Sequence, residues 1–250
     1  MYGTDESAMS NRLFGMLDVL GFSKFNEQGL DVVIAYYEQL INSASNFIGL
    51  AALSAPEIIV FSDTICVTPA KQQYLCDSLF FLYLSMLLNY SCKNTHNGRM
   101  LPLRGAISFD EYIFDVRRKI FLGKAISSAY KWEQKQKWIG VSICPNLIES
   151  PTSGMPNFAD LIEKKLLVNW DVPTSDGIER TLAVNFVTIE TAELILSNLQ
   201  AELEKSGPTV KPKYYATLCF VRHICENNSF VMHHEIEDWR RWGVMVHSPS

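Results

Sequence analysis

Apolar positions run almost unbroken from Leu13 to Leu20, with Asp18 the single charge among them. That is the pattern of a strand covered on both faces. Gly21 ends the run, and Val32, Val33, Tyr36, Tyr37, Leu40 and Ile41 then recur at the spacing of an amphipathic helix. Two β-branched runs follow Pro56, Ile58 to Phe61 and Thr64 to Val67, parted only by Ser62 and Asp63. Turn-favouring residues between two such runs predict a tight hairpin with Asp63 at its tip. A helix rich in Leu, Phe and Tyr is predicted from about Lys71 to Cys92, closed by the polar stretch KNTHNGR. It is apolar on more than one face, which predicts burial partly in its own core and partly against a second subunit.

The segment LPLRGAISFDEYIF reads as a strand turning at Phe109 to Glu111, and a short strand follows from about Lys119 to Leu122. Gly123 introduces a helix with Ala125, Ala129 and Trp132 on one face, and WIGVSIC is the next strand. Pro145 to Pro156 is loop-like. Strands at Leu166 to Trp170 and Thr181 to Val187 precede helices at about Thr191 to Lys205 and Pro212 to Glu226. The predicted class is α+β, a ferredoxin-like βαββαβ core with appended αβ elements, an antiparallel-rich sheet and helices on one face. Residues 1–250 read as a single domain, 11–145 its core and 146–250 an elaboration, because no long linker or repeat interrupts them.

Composition narrows the partners. With 48% hydrophobic and 20% charged residues the chain is that of an ordinary globular protein. Its 22 basic and 27 acidic residues sum to −5, and no basic block exceeds Arg117, Arg118, Lys119. This argues against a large surface for long nucleic acid, although a few local donors suffice for a small anion. The six cysteines (Cys66, Cys76, Cys92, Cys144, Cys219, Cys225) show no CxxC pair and read as thiols of a reducing compartment. MYGTDESAMSNR lacks a basic stretch followed by an apolar one, so no signal peptide is predicted. The apolar stretch Leu79 to Leu88 falls short of the ~17 residues of a membrane span. The expectation is a cytoplasmic protein with no membrane contact.

Two carboxylates stand out. Asp18 lies at the end of a buried strand and Asp63 at a hairpin tip. Each alone has a plain reading, a local cap and a turn residue. Together, two partly buried carboxylates repel unless a divalent cation satisfies both. After Asp18 comes Val19-Leu20-Gly21-Phe22-Ser23, a strand-loop-helix junction of the kind that receives a nucleotide polyphosphate. No P-loop, no G-x-G-x-x-G and no G-x-S-x-G is present, which argues against P-loop ATPases, Rossmann dehydrogenases and hydrolases with a covalent intermediate. His233-His234 and the tryptophans Trp239 and Trp242 read as a polar surface and as packing of a terminal helix.

LDVLGFSKF, FSDTICV, LRGAIS and FLGKAISSAYKWE, in that order, resemble the catalytic core of class III nucleotidyl cyclases. The likeness spans roughly residues 11 to 145 by segments, and is greatest to the stand-alone pyrimidine cyclases of the bacterial Pycsar anti-phage system. It implies the class III cyclase fold. It also implies that Asp18 and Asp63, with the Val19 carbonyl, hold two Mn²⁺ or Mg²⁺ ions, and that the amides of Leu20, Gly21, Phe22 and Ser23 hold phosphates. The substrate would be a nucleoside triphosphate. The 3′-hydroxyl would attack the α-phosphate and expel pyrophosphate, needing positioning and charge stabilisation more than a protein nucleophile.

Departures from the pattern refine the expectation. Where many class III enzymes carry Asn and Arg on the helix, Ser127 and Lys131 stand here. Lys lacks the guanidinium fork but can stabilise a developing oxyanion, and Arg104 or Arg117 could instead supply the charge. Where adenylate cyclases read their base with Lys and Asp, this chain has Ile59 and Ile120. An apolar pocket leaves a purine edge unmet, which favours a pyrimidine. The expected reaction is UTP to 3′,5′-cyclic UMP and pyrophosphate, a second messenger for anti-phage defence read by a separate effector. CTP or ATP as substrate is the alternative, and a silent nucleotide-binding module a second. The resemblance further implies a homodimer with each site at the subunit interface.

Overall fold

A computed structural model describes residues 11–50, 56–69, 76–115, 118, 120–149 and 153–231. Arg117, His233, His234, Trp239 and Trp242 lie outside them. The chain runs β1 (Asn11–Val19), α1 (Phe22–Asn26), α2 (Leu30–Leu50), β2 (Glu57–Phe61), β3 (Thr64–Thr68), α3 (Cys76–Lys93) and β4 (Leu103–Asp115). It continues with β5 (Ile120–Gly123), α4 (Lys124–Lys135), β6 (Gly140–Ile143), α5 (Asn146–Glu149) and α6 (Phe158–Glu163). The hairpin β7 (Leu167–Thr174) and β8 (Gly177–Val184) is followed by α7 (Ala192–Lys205) and α8 (Lys211–Glu226). One eight-stranded sheet has the order β2-β3-β1-β4-β6-β8-β7, with β5 paired to β4. The order β2-β3-β1-β4 is that of the expected βαββαβ core. All the pairs are antiparallel except β4 with β6.

The helices divide between the two faces of the sheet. Successive strand residues point to opposite sides. Gly15 faces Phe80 and Leu84 of α3, whose partner helix α2 packs beside it. Phe14 points the other way with its cross-strand partner Ser108, and the Ser108 hydroxyl donates to the Ala125 carbonyl of α4 at 2.7 Å. Helices on one face therefore describe the core pair α2 and α3, while α4 covers the opposite face.

Three further expectations change. β4 runs straight through Phe109 to Glu111 without turning, because Arg12 and Asn11 of β1 pair opposite Asp110 and Glu111 and carry the ladder on. Pro145 to Pro156 is not all loop: α5 forms where Leu147 finds a buried position. α3 does not keep a face for a second subunit, since Leu79 to Leu84, Leu87 and Leu88 are all buried within one chain, among α2, α7 and the sheet. No helix among the described residues is long and apolar enough to cross a membrane. The cysteines Cys66, Cys92, Cys144, Cys219 and Cys225 are free thiols.

Gly123 sets where α4 starts. Its φ of 148° is open to glycine alone, and a Cβ there would press into the backbone of Glu111 and Tyr112. Gly123→Ala is expected to destabilise the fold by about 2–4 kcal/mol, the combined scale of overpacking and backbone strain. Urea denaturation of the two proteins measures this, and equal midpoints would disprove it.

Candidate active site

Strand pairing and one turn bring the two carboxylates together. Asp18 pairs with Thr64, the residue after Asp63, and the Val19 amide donates to the Asp63 carbonyl at 2.9 Å. Ser62 takes a left-handed φ of 56° in the two-residue turn, and its carbonyl accepts the Tyr37 hydroxyl of α2 at 2.7 Å. The hairpin tip is therefore held from both sides. Tyr37 lies close to both carboxylates: burial first, then Asp63 and Asp18, push its phenol well above the usual range.

Beneath Asp18 lies a buried charge cluster. Arg104, opposite Asp18 on β4, places its guanidinium 3.4 Å from the Asp18 carboxylate and in direct contact with Glu133 of α4. It also donates to the Gln136 carbonyl at 3.3 Å. Gln136 is itself locked, donating to the Gly105 carbonyl at 2.8 Å and accepting from Trp138 and Ser142 at 2.7 and 2.9 Å. Burial, then the Glu133 charge, raise the Asp18 carboxyl to about 6; Arg104 opposes them, Asp63 adds to the rise and Lys213 opposes it. The site thus holds more negative charge than its own cations neutralise.

A second feature lies on α4. Its inward face carries Ala125, Ala129, Trp132 and Glu133, and its outward face carries Ser127 and Lys131. Those two line an open cleft of about 530 Å³ with Tyr112, Leu122, Gly123 and the Glu111–Lys124 ion pair of 2.8 Å. Glu111 is seven positions along β4 from Arg104, so that end of the cleft lies ~23 Å from the row holding Asp18. Lys131 and Glu133 differ by about 200° around the helix. Lys131 therefore points away from its own chain's Asp18.

No family model and no curated protein matches the sequence. Solved structures do match. The catalytic core of a rhodopsin-guanylyl cyclase with converted specificity, in complex with ATPαS, is similar over 71% of this chain and 96% of that one, at 10% identity and a TM-score of 0.50. The guanylate cyclase domain of RhGC from Catenaria anguillulae in complex with GTP aligns over 71% and 97%, at 10% identity and 0.46. The adenylyl cyclase CyaB from P. aeruginosa aligns over 70% and 93%, at 12% and 0.43. The fold is that of the class III nucleotidyl cyclases.

On this cyclase fold the expected residues separate into two groups. Asp18, Val19 and Asp63 meet at one end of β1, and Ser127 and Lys131 share the α4 cleft. Ile59 stands in a cross-strand row with Cys66 and Met16, on the same face as Asp18, whereas Ile120 lies opposite Asp115 on β5. The loop differs in one respect from expectation: the Leu20 amide donates to the Pro102 carbonyl at 3.0 Å and is not free for a phosphate. Gly21, at φ 82°, turns the chain into the five-residue α1, whose first amides belong to Phe22 and Ser23. Arg104 is 8% exposed and engaged with two carboxylates.

Sequence reasoning missed Tyr37, Lys213 and the Arg104–Glu133 contact. For Glu133 a signal existed. It continues the apolar face of Ala125, Ala129 and Trp132, and an acid on such a face requires a buried partner. Nothing local marks Tyr37 or Lys213.

The Asp18 environment has a measurable consequence for stability. Below pH 4 the carboxyl is protonated in both folded and unfolded chains and costs nothing. As pH rises from about 4 to about 6, the unfolded chain releases this proton while the folded state still holds it, so stability is lost over that window. Asp18→Asn is expected to be more stable than wild type by on the order of 2 kcal/mol at pH 8, the gap closing below pH 4. Denaturant titrations in EDTA at the two pH values decide it; a wild type more stable at pH 8 would contradict the sign.

Proposed function

We propose that this protein is a nucleotidyl cyclase that converts UTP into 3′,5′-cyclic UMP and pyrophosphate. The observation that carries the reading is the meeting of Asp18 and Asp63 at the end of β1 on a class III cyclase fold. The donor set fits hard divalent cations: two carboxylates, one of them raised to about 6 by burial and neighbouring negative charge, beside a strand-end backbone. Among the described residues no group of three or more His, Cys, Asp or Glu side chains could hold a metal ion, so the side-chain donors proposed here are the two carboxylates alone. Asp18 and Asp63, with the Val19 carbonyl, would hold Mn²⁺ or Mg²⁺, which when bound supplies charge stabilisation for phosphoryl transfer and eases loss of the 3′-hydroxyl proton.

In the reaction the ribose 3′-oxygen forms a bond to the α-phosphorus. The α-phosphorus–oxygen bond to the β-phosphate breaks, pyrophosphate leaves with that electron pair, and the hydroxyl proton passes to solvent. The chain's part is to orient the triphosphate and offset the charge that develops on it. The apolar Ile59 on the face of Asp18 supports a pyrimidine over a purine. Resemblance of the four motif segments to Pycsar enzymes supports a cytoplasmic anti-phage role, with a separate effector reading the product. The single sheet running from β2 to β7 supports treating residues 146–231 as an elaboration of the catalytic unit.

The test is turnover of the four ribonucleoside triphosphates with Mn²⁺. UTP is expected to yield cyclic UMP and one equivalent of pyrophosphate. Consumption of CTP or ATP in its place would replace the base assignment, and binding without pyrophosphate release from any of them would mean a silent module.

The opposed faces of α4 support a site shared between two subunits. Ser127 and Lys131 would serve the carboxylates of the partner chain, and the exposed Phe61, Phe121, Leu122 and Tyr130 offer apolar surface for that contact. Asp18→Ala and Lys131→Ala are each expected to be nearly inactive alone. Mixed in equal amounts they should recover up to roughly a quarter of wild-type activity, because half the dimers carry one intact site. No recovery, with subunit exchange verified by mass spectrometry, would overturn the shared site.

A further inference from the structure

The C-terminal helix α8 reaches the carboxylate end of the sheet. The row Thr64, Asp18, Arg104, Gly140 crosses β3, β1, β4 and β6 in register. Immediately before Gly140, the Thr217 hydroxyl of α8 lies 2.9 Å from both the amide and the carbonyl of Ile139, and 3.0 Å from the Lys213 carbonyl one turn earlier. The Thr217 turn of α8 is thereby pinned beside Ile139, the neighbour of Gly140, which lies two strand spacings, ~10 Å, from Asp18. Lys213 extends from the turn before it.

The charges gathered there are unequal in their commitments. Arg104 is engaged with Asp18 and Glu133. Lys213 is half-buried, yet among the described residues it makes no ion pair within 4 Å. Burial, then the Arg104 and Lys137 charges, lower its ammonium below the usual range, while the Asp18 and Glu133 carboxylates act the other way. A half-desolvated ammonium without a contact partner is costly, and a polyanion beside it would offset that cost.

We propose that Lys213 binds the polyphosphate of the nucleotide at the Asp18–Asp63 end of the same chain, making α8 part of the substrate site. The inference rests on the cyclase reading and deepens it. It gives the segment beyond residue 146 a role: the Thr217–Ile139 clamp holds a phosphate-binding lysine in place from outside the βαββαβ core. With the Leu20 amide already bonded to Pro102, a side-chain cation compensates for a donor that the loop lacks.

The probe is inorganic tripolyphosphate with Mn²⁺, which has no base and no reacting hydroxyl, titrated calorimetrically into the full chain. Wild type is expected to bind it and Asp18→Ala to lose binding. Lys213→Ala should weaken affinity about tenfold or more, and Lys213→Arg should restore most of it, as a charge-assisted contact requires. Lys205→Ala, exposed on α7, should be unchanged. In turnover Lys213→Ala should raise KM for the triphosphate far more than it lowers kcat. Equal affinity of wild type and Lys213→Ala, with Asp18→Ala still defective, would overturn the Lys213 assignment and leave the cyclase reading standing. A Lys213→Ala protein with lowered thermal stability but unchanged affinity would likewise overturn it, assigning the lysine to charge balance alone. Failure of wild type to bind tripolyphosphate, together with no turnover of any triphosphate, would overturn both.

Discussion

Arg104 is the charge around which the rest of the site is arranged. Its guanidinium lies almost fully buried between Asp18 of β1 and Glu133 of α4. Removing the guanidinium would leave Glu133 buried and unpaired, at a cost of about 3–5 kcal/mol. The cluster therefore ties β1, β4 and α4 to one another. It also leaves a net negative charge, because Arg104 and the more distant Lys213 face three carboxylates, Asp18, Glu133 and Asp63. The outcome is a strand end that is structurally fixed and electrostatically incomplete, suited to receive added positive charge.

The same helix that closes this cluster presents its opposite face to the open cleft. Glu133 points inward to Arg104 while Ser127 and Lys131 point outward. A shift of α4 would thus disturb the surroundings of Asp18 and the cleft together. In the proposed dimer the helix would join two sites mechanically, its inner face supporting one and its outer face completing the other. Gly123 and the buried Gln136 network fix its two ends.

Burial on one side and exposure on the other also relocate the surface available to a partner. The apolar surplus of α3 is absorbed inside the chain by α2 and α7. Among the large apolar side chains that stay exposed are Phe61 at the hairpin tip, at 79%, Phe121 and Leu122 on β5 and Tyr130 on α4, with others on α2, β8, α7 and α8. These four lie near the Asp18–Asp63 end and the α4 cleft, where the proposed shared interface would need them.

Local pattern determined much of this protein. An almost unbroken apolar run located β1, two β-branched runs the β2–β3 hairpin, and helical spacing α2 and α4, because each signal is carried by neighbouring residues. The hairpin turn at Ser62-Asp63 is legible for the same reason, so the sequence alone pairs Asp18 and Asp63 as candidates. What only the tertiary structure decided depends on contacts between residues far apart in the chain. The acids Asp110 and Glu111 look like a turn until Arg12 and Asn11 pair opposite them. The apolar faces of α3 look like an interface until α7, which begins about a hundred residues later, covers one of them. Arg104 looked like a candidate for the transition state until Glu133 was found against it, and Lys213 carried no signal at all. Periodicity records which side of an element is apolar; it does not record which distant element will cover that side, and that choice places the charges of the site.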